Sequence, residues 1–306
     1  MIITSQGFGH FTEGLNNQDF GMETPRMLLV LDGCSGAKYS EAGVRLFAQL
    51  FSRKEDYDSV EKFEENVKSV FDDIIALAAG YYKTPEELET DFIMENLLFT
   101  IIACFQTEKE YIVKLFGDGY IVTQNKEECI SYMKFAYGKC PPYFAYRYCQ
   151  LTGGEFKAYN FKTFRFDKTV FPRIAIASDG IMPIAKGDVG GLDDHLLEAN
   201  KAYAEILIKS NRKKFNDDIT IATFEYISAT QKVEDSTTKI AAGGSDAIET
   251  GEVSATTEIG KGSTPIVSAT AQTVESRVAV IETDKVSAIM ETAKTQTTEE
   301  TLGGTK

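Results

Sequence analysis

Apolar positions along the first three-quarters of the chain fall into two patterns. Met27-Leu28-Leu29-Val30-Leu31 is an unbroken apolar run of strand length, read as a buried strand that stops at Asp32-Gly33. Ser40, with Gly43, Val44, Leu46, Phe47 and Leu50, then marks a helix beginning near Ser40. Apolar residues at 60, 63, 67, 70, 71, 74, 75 and 78 repeat at helical spacing and predict a helix over 60–79 with one buried face. Thr84-Pro85-Glu86-Glu87 combines a cap, a first-turn proline and an acid at the third position, which starts another helix running to about Asn96.

Beyond that point the period shortens. Residues 97–105 and 111–116 are strands joined by a polar turn at 106–110, so a hairpin is expected, and 120–123 resumes as strand after Gly117-Asp118-Gly119. Residues 2–5, 173–177 and 219–226 are further strands, 192–210 is a helix by composition, and 124–170 holds additional strands and a loop segment. From about Ser228 the pattern dissolves. Thr, Ser, Ala, Glu and Gly dominate, aromatic residues end at Tyr226, and no period is sustained. Such a segment buries too little surface to offset its ordering entropy. The chain therefore divides into a folded domain over 1–228 and a low-complexity, disordered tail over 229–306, with transient helix near 274–294.

Composition narrows the function. Of 306 residues, 43% are hydrophobic and 25% charged, which is ordinary for a globular protein. A net charge of −14 and a pI near 4.8 argue against affinity for nucleic acid or an anionic membrane. No apolar stretch reaches the roughly 20 residues that span a bilayer. The start, MIITSQGFGH, lacks the basic residues and apolar core of a signal peptide. Five cysteines, an odd number without CxxC pairing, suggest neither a disulfide frame nor a zinc site. A reducing, cytoplasmic setting and a monomeric state are expected.

The chemistry-bearing residues are acids at strand boundaries: Asp19, Asp32, Asp118, Asp179, Asp217 and Asp218. Taken singly, each is compatible with a plain turn, because Asp-Gly is a common turn dipeptide. Together they offer oxygen ligands without a His or Cys cluster, a donor set that suits hard cations such as Mg²⁺ or Mn²⁺. Two such ions roughly 4 Å apart can hold a water and clamp a phosphoryl group. A two-carboxylate glycosidase arrangement finds no distinguishing pair here. His10 is one of only two histidines, with His195, and a lone histidine is more often structural than functional.

Five short motifs occur in order: Gln18-Asp19; Val30-Leu31-Asp32-Gly33-Cys34-Ser35-Gly36; Gly117-Asp118-Gly119; Ala177-Ser178-Asp179-Gly180; and Asp217-Asp218-Ile219-Thr220. Over residues 1 to about 227 this arrangement resembles the metal-dependent, type 2C (PPM) protein serine/threonine phosphatases. Gly7-x-Gly9-His10 ahead of Asn17-Gln18-Asp19 is most similar to a bacterial-type branch. The resemblance implies an α+β, four-layer αββα sandwich, with two antiparallel sheets flanked by helices and two Mg²⁺ or Mn²⁺ ions at one edge. It implies that Asp32 bridges the ions, that the Gly33 carbonyl binds one, and that Asp19 lies in the coordination sphere. Asp179 and Asp217 would complete the other site with Asp218 in support, and Asp118 would match a weaker third position. The implied reaction is hydrolysis of a phosphorylated protein by direct attack of a water bridging the ions, with no phosphoenzyme.

The sequence also departs from the family pattern. The Arg that many members carry five residues before the first metal acid, where it holds the phosphate, is Gly14 here. The acid preceding Asp19 is replaced by Gln18, and the His often following Asp-Gly is Cys34. His10 is the candidate for phosphate holding or leaving-group protonation, with Cys34 a poorer one. The alternative is a catalytically weak, metal-binding module with a regulatory or binding role. A carboxylate-rich binding protein unrelated to the family is a third reading.

Overall fold

The computed structural model describes residues 1–137, 141–150, 159–189, 197 and 201–225, and the proposed tail over 229–306 lies outside these residues. In chain order the elements are β1 (Ile2–Ser5), α1 (Phe8–Glu13), β2 (Phe20–Glu23), β3 (Met27–Gly33), α2 (Ser40–Phe51) and α3 (Phe63–Ala79). There follow α4 (Pro85–Glu87), a π-helical turn at Leu88–Ile93, α5 (Met94–Asn96), β4 (Phe99–Gln106), β5 (Glu110–Phe116), β6 (Gly119–Gln124) and β7 (Ile130–Phe135). A 3₁₀ turn at Phe144–Tyr148, β8 (Lys162–Asp167), β9 (Arg173–Ala177), α6 (Met182–Ala185), α7 (Lys201–Ser210) and β10 (Ile219–Glu225) complete the main elements.

The strands form two five-stranded sheets in the orders β1-β10-β9-β6-β7 and β2-β3-β4-β5-β8. Every pairing within them is antiparallel. Side chains alternate between faces along each strand, and both faces of both sheets are covered. Leu28, Val30, Ile102, Cys104 and Val113 meet Ile121, Ile174, Ile176 and Ala222 between the sheets. Leu29, Leu31, Ile101 and Phe105 point the other way, onto Val44, Phe47, Val67 and Phe71 of α2 and α3. On the opposite side, Ile3, Val122, Ala175 and Ile221 are covered by Ile184, Ala204 and Ile208 of α6 and α7. These are the four layers of an αββα sandwich. Burial on both faces explains why β3 and β4 read as continuous apolar runs rather than as alternating strands.

Aromatic packing fixes the helices onto the second sheet: the Phe47 ring lies 5.4 Å from Phe71 and 5.3 Å from Phe99, centroid to centroid. The cap read at Thr84 is present, with its side chain accepting from the Glu87 amide at 3.1 Å. Some details differ from the sequence reading. Asp32 and Gly33 are the last residues of β3, because ladder pairing to Thr100 and Phe99 carries the strand through them. α1 was not anticipated, since Gly7 and Gly9 mask a helix of only six residues. The hairpin read across 106–110 is present as β4 and β5, and Gly117-Asp118 carries the chain onward from one sheet to the other. Of the helix read at 192–210, Lys201–Ser210 is helical and residues 192–196 and 198–200 lie outside the described residues. No described helix is long and apolar enough to cross a membrane.

Candidate metal centre

Strand register delivers the acids to one edge of the sandwich. In the second sheet Phe20 pairs with Leu31 and Asp32 with Thr100, so Asp19 arrives beside Asp32. In the first sheet Ala177 pairs with Tyr120 on one side and Ile221 on the other, which brings the turn before β6, the end of β9 and the start of β10 together. Across the gap between sheets the Asp179 amide donates to Asp32 Oδ2 at 3.4 Å, joining residues 147 positions apart. Asp118 owes its position to Gly117 and Gly119, whose φ values of 103° and 128° are strained for any residue with a side chain. Gly180 permits the remaining approach, because a Cβ there would collide with the Asp218 carbonyl oxygen.

The electrostatics follow from this crowding. Burial, and then the charges of Asp19, Asp179, Asp118 and Asp217, hold the Asp32 carboxyl well above the ordinary carboxylate range. Asp19, 2% exposed, is pushed up to about 8 by burial foremost; a hydrogen bond with Ser178 opposes the shift and the charges of Asp218 and Asp217 add to it. Asp118 rises to about 7 and Asp179 to about 6, each mainly through burial, with Asp179 next in importance for the first and Asp217 for the second. Burial also raises Asp217, against a hydrogen bond from the Asp218 amide and the charge of His10. Five mutually repelling carboxylates at one place are an unfavourable arrangement unless cations compensate them.

The residues present fit divalent ions on a second count. Asp19 Oδ2, Gln18 Oε1 and Thr100 Oγ1 are buried and lack hydrogen-bond partners among the described residues. Thr100 is the ladder partner of Asp32, which sets its orphaned oxygen and that of Asp19 at the acid cluster, whereas the Gln18 side chain reaches the Ala37 carbonyl at 3.5 Å. Buried polar atoms without partners are rare in folded proteins. Asp19, Asp32, Asp118, Asp179 and Asp217 are the side chains that would hold the ions.

Asp218 has a different place. It is 2% exposed; its Oδ1 accepts from the Gly7 amide at 2.8 Å, and its Oδ2 faces His10 Nδ1 at 2.8 Å and accepts from the Gln18 amide at 2.6 Å. These bonds bind the start of β10 to α1 and to the segment that ends in Asp19. Asp218→Ala leaves buried donors unpaired and is expected to cost about 3–5 kcal/mol of folding stability. A shift of the urea midpoint equivalent to less than 1 kcal/mol would show the clamp to be dispensable.

His10 is 7% exposed and stands between Asp218 and Asp217, with Nε2 3.6 Å from Asp217 Oδ1. With Asp217 and Asp218 it also forms a group of three that could converge on one ion. Gly33 is wedged against the Gln18 carbonyl and the Ser40 hydroxyl, where a Cβ would come within 2.7 and 2.8 Å. The Cys34 amide donates to the Leu98 carbonyl at 2.9 Å, and its half-buried side chain packs against the core beneath α2 and α3. Gly14, at the position of the missing Arg, closes α1 in the left-handed region and faces open space. Sequence reasoning gave no individual role to Ser178 or Thr100; strand register sets Thr100 opposite Asp32, and Ser178 hydrogen-bonds Asp19 across the gap between the sheets.

No family model matches the chain, and no curated protein matches it. Solved structures do. The serine/threonine phosphatase Stp1 from Staphylococcus aureus superposes with a TM-score of 0.50 at 14% identity, covering 75% of this chain and 94% of that one. The Mycobacterium tuberculosis serine/threonine phosphatase PstP/Ppp gives 0.50 at 15% identity, over 74% and 98%. A bacterial serine phosphatase gives 0.50 at 15% identity, over 75% and 98%. The chain thus has the fold of these serine/threonine phosphatases, and the resemblance carried by its five motifs holds at the level of architecture.

Proposed function

We propose that this chain is a Mn²⁺- or Mg²⁺-dependent phosphatase that hydrolyses phosphoserine and phosphothreonine in proteins. The observation that supports it best is the convergence of Asp19, Asp32, Asp118, Asp179 and Asp217, from both sheets, into one over-charged cluster rimmed by orphaned oxygens. Two divalent ions held there would supply Lewis acidity towards water and the phosphoryl oxygens.

The protein's own part in this reading is positional. Asp32, at the end of a strand buried on both faces, is the acid best placed to be shared by both ions. Asp218 and His10 hold Asp217 and the Gln18-Asp19 segment at the cluster. Residues 1–228 act as one catalytic domain, monomeric and cytoplasmic, on phosphorylated protein rather than nucleic acid or membrane, with 229–306 as a low-complexity tail.

A catalytically weak metal-binding module is the second reading. It is favoured by Gly14, which offers no phosphate-holding side chain, and by Cys34, which packs into the core. Hydrolysis of p-nitrophenyl phosphate and of a phosphothreonine peptide separates the two. Turnover is expected with Mn²⁺, to vanish in EDTA, and to fall by at least about 100-fold in Asp179→Ala, the loss of roughly 3 kcal/mol that one ion ligand confers. Calorimetric Mn²⁺ uptake without turnover would establish the module instead.

A further inference from the structure

A surface of the opposite sign adjoins the acid cluster. Arg212–Lys214 is a 3₁₀ turn of three successive cations, in a chain with 46 acidic residues against 32 basic ones. Backbone bonds fix this turn to α1: the Phe8 amide donates to the Phe215 carbonyl at 2.7 Å, and the Gly9 amide to the Asn216 carbonyl at 3.0 Å. The Arg212 guanidinium lies 4.0 Å from the centre of the Phe11 ring on α1, and Phe11 is 54% exposed. Gln6 holds it there, its backbone carbonyl accepting from Nε at 3.4 Å and its side-chain oxygen from Nη2 at 3.2 Å. Arg212 and Lys213 form no ion pair among the described residues. The Lys214 ammonium donates to the Asp188 carbonyl at 2.6 Å. Phe11 directly follows His10, whose Nε2 is 3.6 Å from Asp217 Oδ1, and consecutive Cα atoms are about 3.8 Å apart. The stacked pair therefore stands at the border of the centre.

We propose that Phe11, Arg212 and Lys213 form a docking surface for carboxylate side chains that flank the phosphorylated residue of a protein substrate. This rests on the phosphatase reading above and deepens it, because it names the substrate class: phosphoproteins that are acidic around the modified residue. Arg212 has five N–H groups, and the two bonds to Gln6 leave donors on both terminal nitrogens, a fork that matches a carboxylate. The ring and Gln6 already hold the guanidinium plane, so pairing costs little further side-chain freedom. A net charge of −14 disfavours acidic segments over the molecule as a whole, so a cationic patch beside the centre fixes where such a segment lies.

The test compares two phosphothreonine peptides of equal length on the full chain with Mn²⁺, one flanked by Asp and Glu and the other by Asn and Gln. The native chain is expected to favour the acidic peptide by about tenfold in kcat/KM, the combined scale of a few exposed charge pairs, and to lose that preference as salt screens them. Arg212→Gln with Lys213→Gln is expected to bring the ratio of the two peptides close to one. Lys213→Glu alone is expected to lower it by about threefold, and Lys213 is exposed, so this variant serves if the loss of Arg212 disturbs the fold. Fluorescence anisotropy of the labelled peptides reads the same ratio in Kd, so a chain that binds without turnover still tests the surface. A native ratio near one, or binding of neither peptide, overturns the surface. A ratio that survives while both peptides weaken together assigns Arg212 to the phosphoryl group and overturns the flanking role. Turnover of the two peptides at equal rates leaves the phosphatase reading intact, whereas selective binding without turnover removes that reading and keeps the surface.

Discussion

Asp32→Asn is expected to lower kcat/KM for a phosphothreonine peptide by at least about 10³-fold while making the metal-free protein more stable. The loss corresponds to about 4 kcal/mol of transition-state stabilisation, the scale on which shared cations act at a phosphoryl centre. The gain has a separate origin. Asp32 is held well above the ordinary carboxylate range by burial and by four neighbouring acids, so its ionised form is a standing cost to the fold. An amide of the same shape removes that charge and keeps an oxygen for the Asp179 amide, which reaches Asp32 at 3.4 Å. In EDTA near pH 8 the variant should unfold at a higher urea midpoint, by about 1–3 kcal/mol. Activity within tenfold of native would exclude Asp32 from the ion centre. An unchanged midpoint would show that the acids do not strain the fold.

Stability of the metal-free protein is expected to fall as pH rises from 5 to 8, and Mn²⁺ is expected to reverse that trend. Asp19 ionises near 3.8 when free and near 8 in the folded chain, while Asp118 and Asp179 move up to about 7 and about 6. Across this interval the folded state keeps protons that the unfolded chain has already released, so each upward pH step favours unfolding. The contribution is complete below about pH 4 and gone above about pH 8. For Asp19 alone it corresponds to roughly 6 kcal/mol, and coupled neighbours share protons rather than adding in full. The acids held below the ordinary range, Asp72 by Lys68, Asp167 by Thr169 and Glu61 by Ser59, stay ionised in both states over this window and do not mask the trend. Ion uptake requires deprotonated ligands and stabilises the folded state by about 2.7 kcal/mol at 100 times Kd. Thermal melts at pH 5 and pH 8, each with EDTA and with Mn²⁺, should therefore cross over. Melts that rise with pH in EDTA would mean that the acids are not crowded in solution.

Much of the framework was legible in the residues. The runs at 27–31, 97–105 and 173–177 read as strands because the central strands are buried on both faces and stay apolar almost throughout. α2, α3 and the Thr84 cap were legible because helical spacing and capping chemistry are local properties. α1 was not, since six residues with Gly9 among them and a glycine at each end carry no helical signal. The placement of His10 and Cys34 was equally hidden. One neighbours the cluster and the other packs against a core, although Cys34 stands inside a motif and His10 a few residues ahead of another.

What the sequence determined by itself is therefore the list of acids and the strands that carry them. A carboxylate at the end of an apolar run is fixed by residues within a few positions, and five such ends in order carry a family resemblance. Which acids share a site and which one is withdrawn into a clamp were decided only by tertiary structure. Asp32 and Asp179 meet across two sheets, and Asp218 is consumed by α1. Such contacts join residues far apart in the chain, and their energies depend on burial and mutual charge that exist only once the sheets have closed on one another.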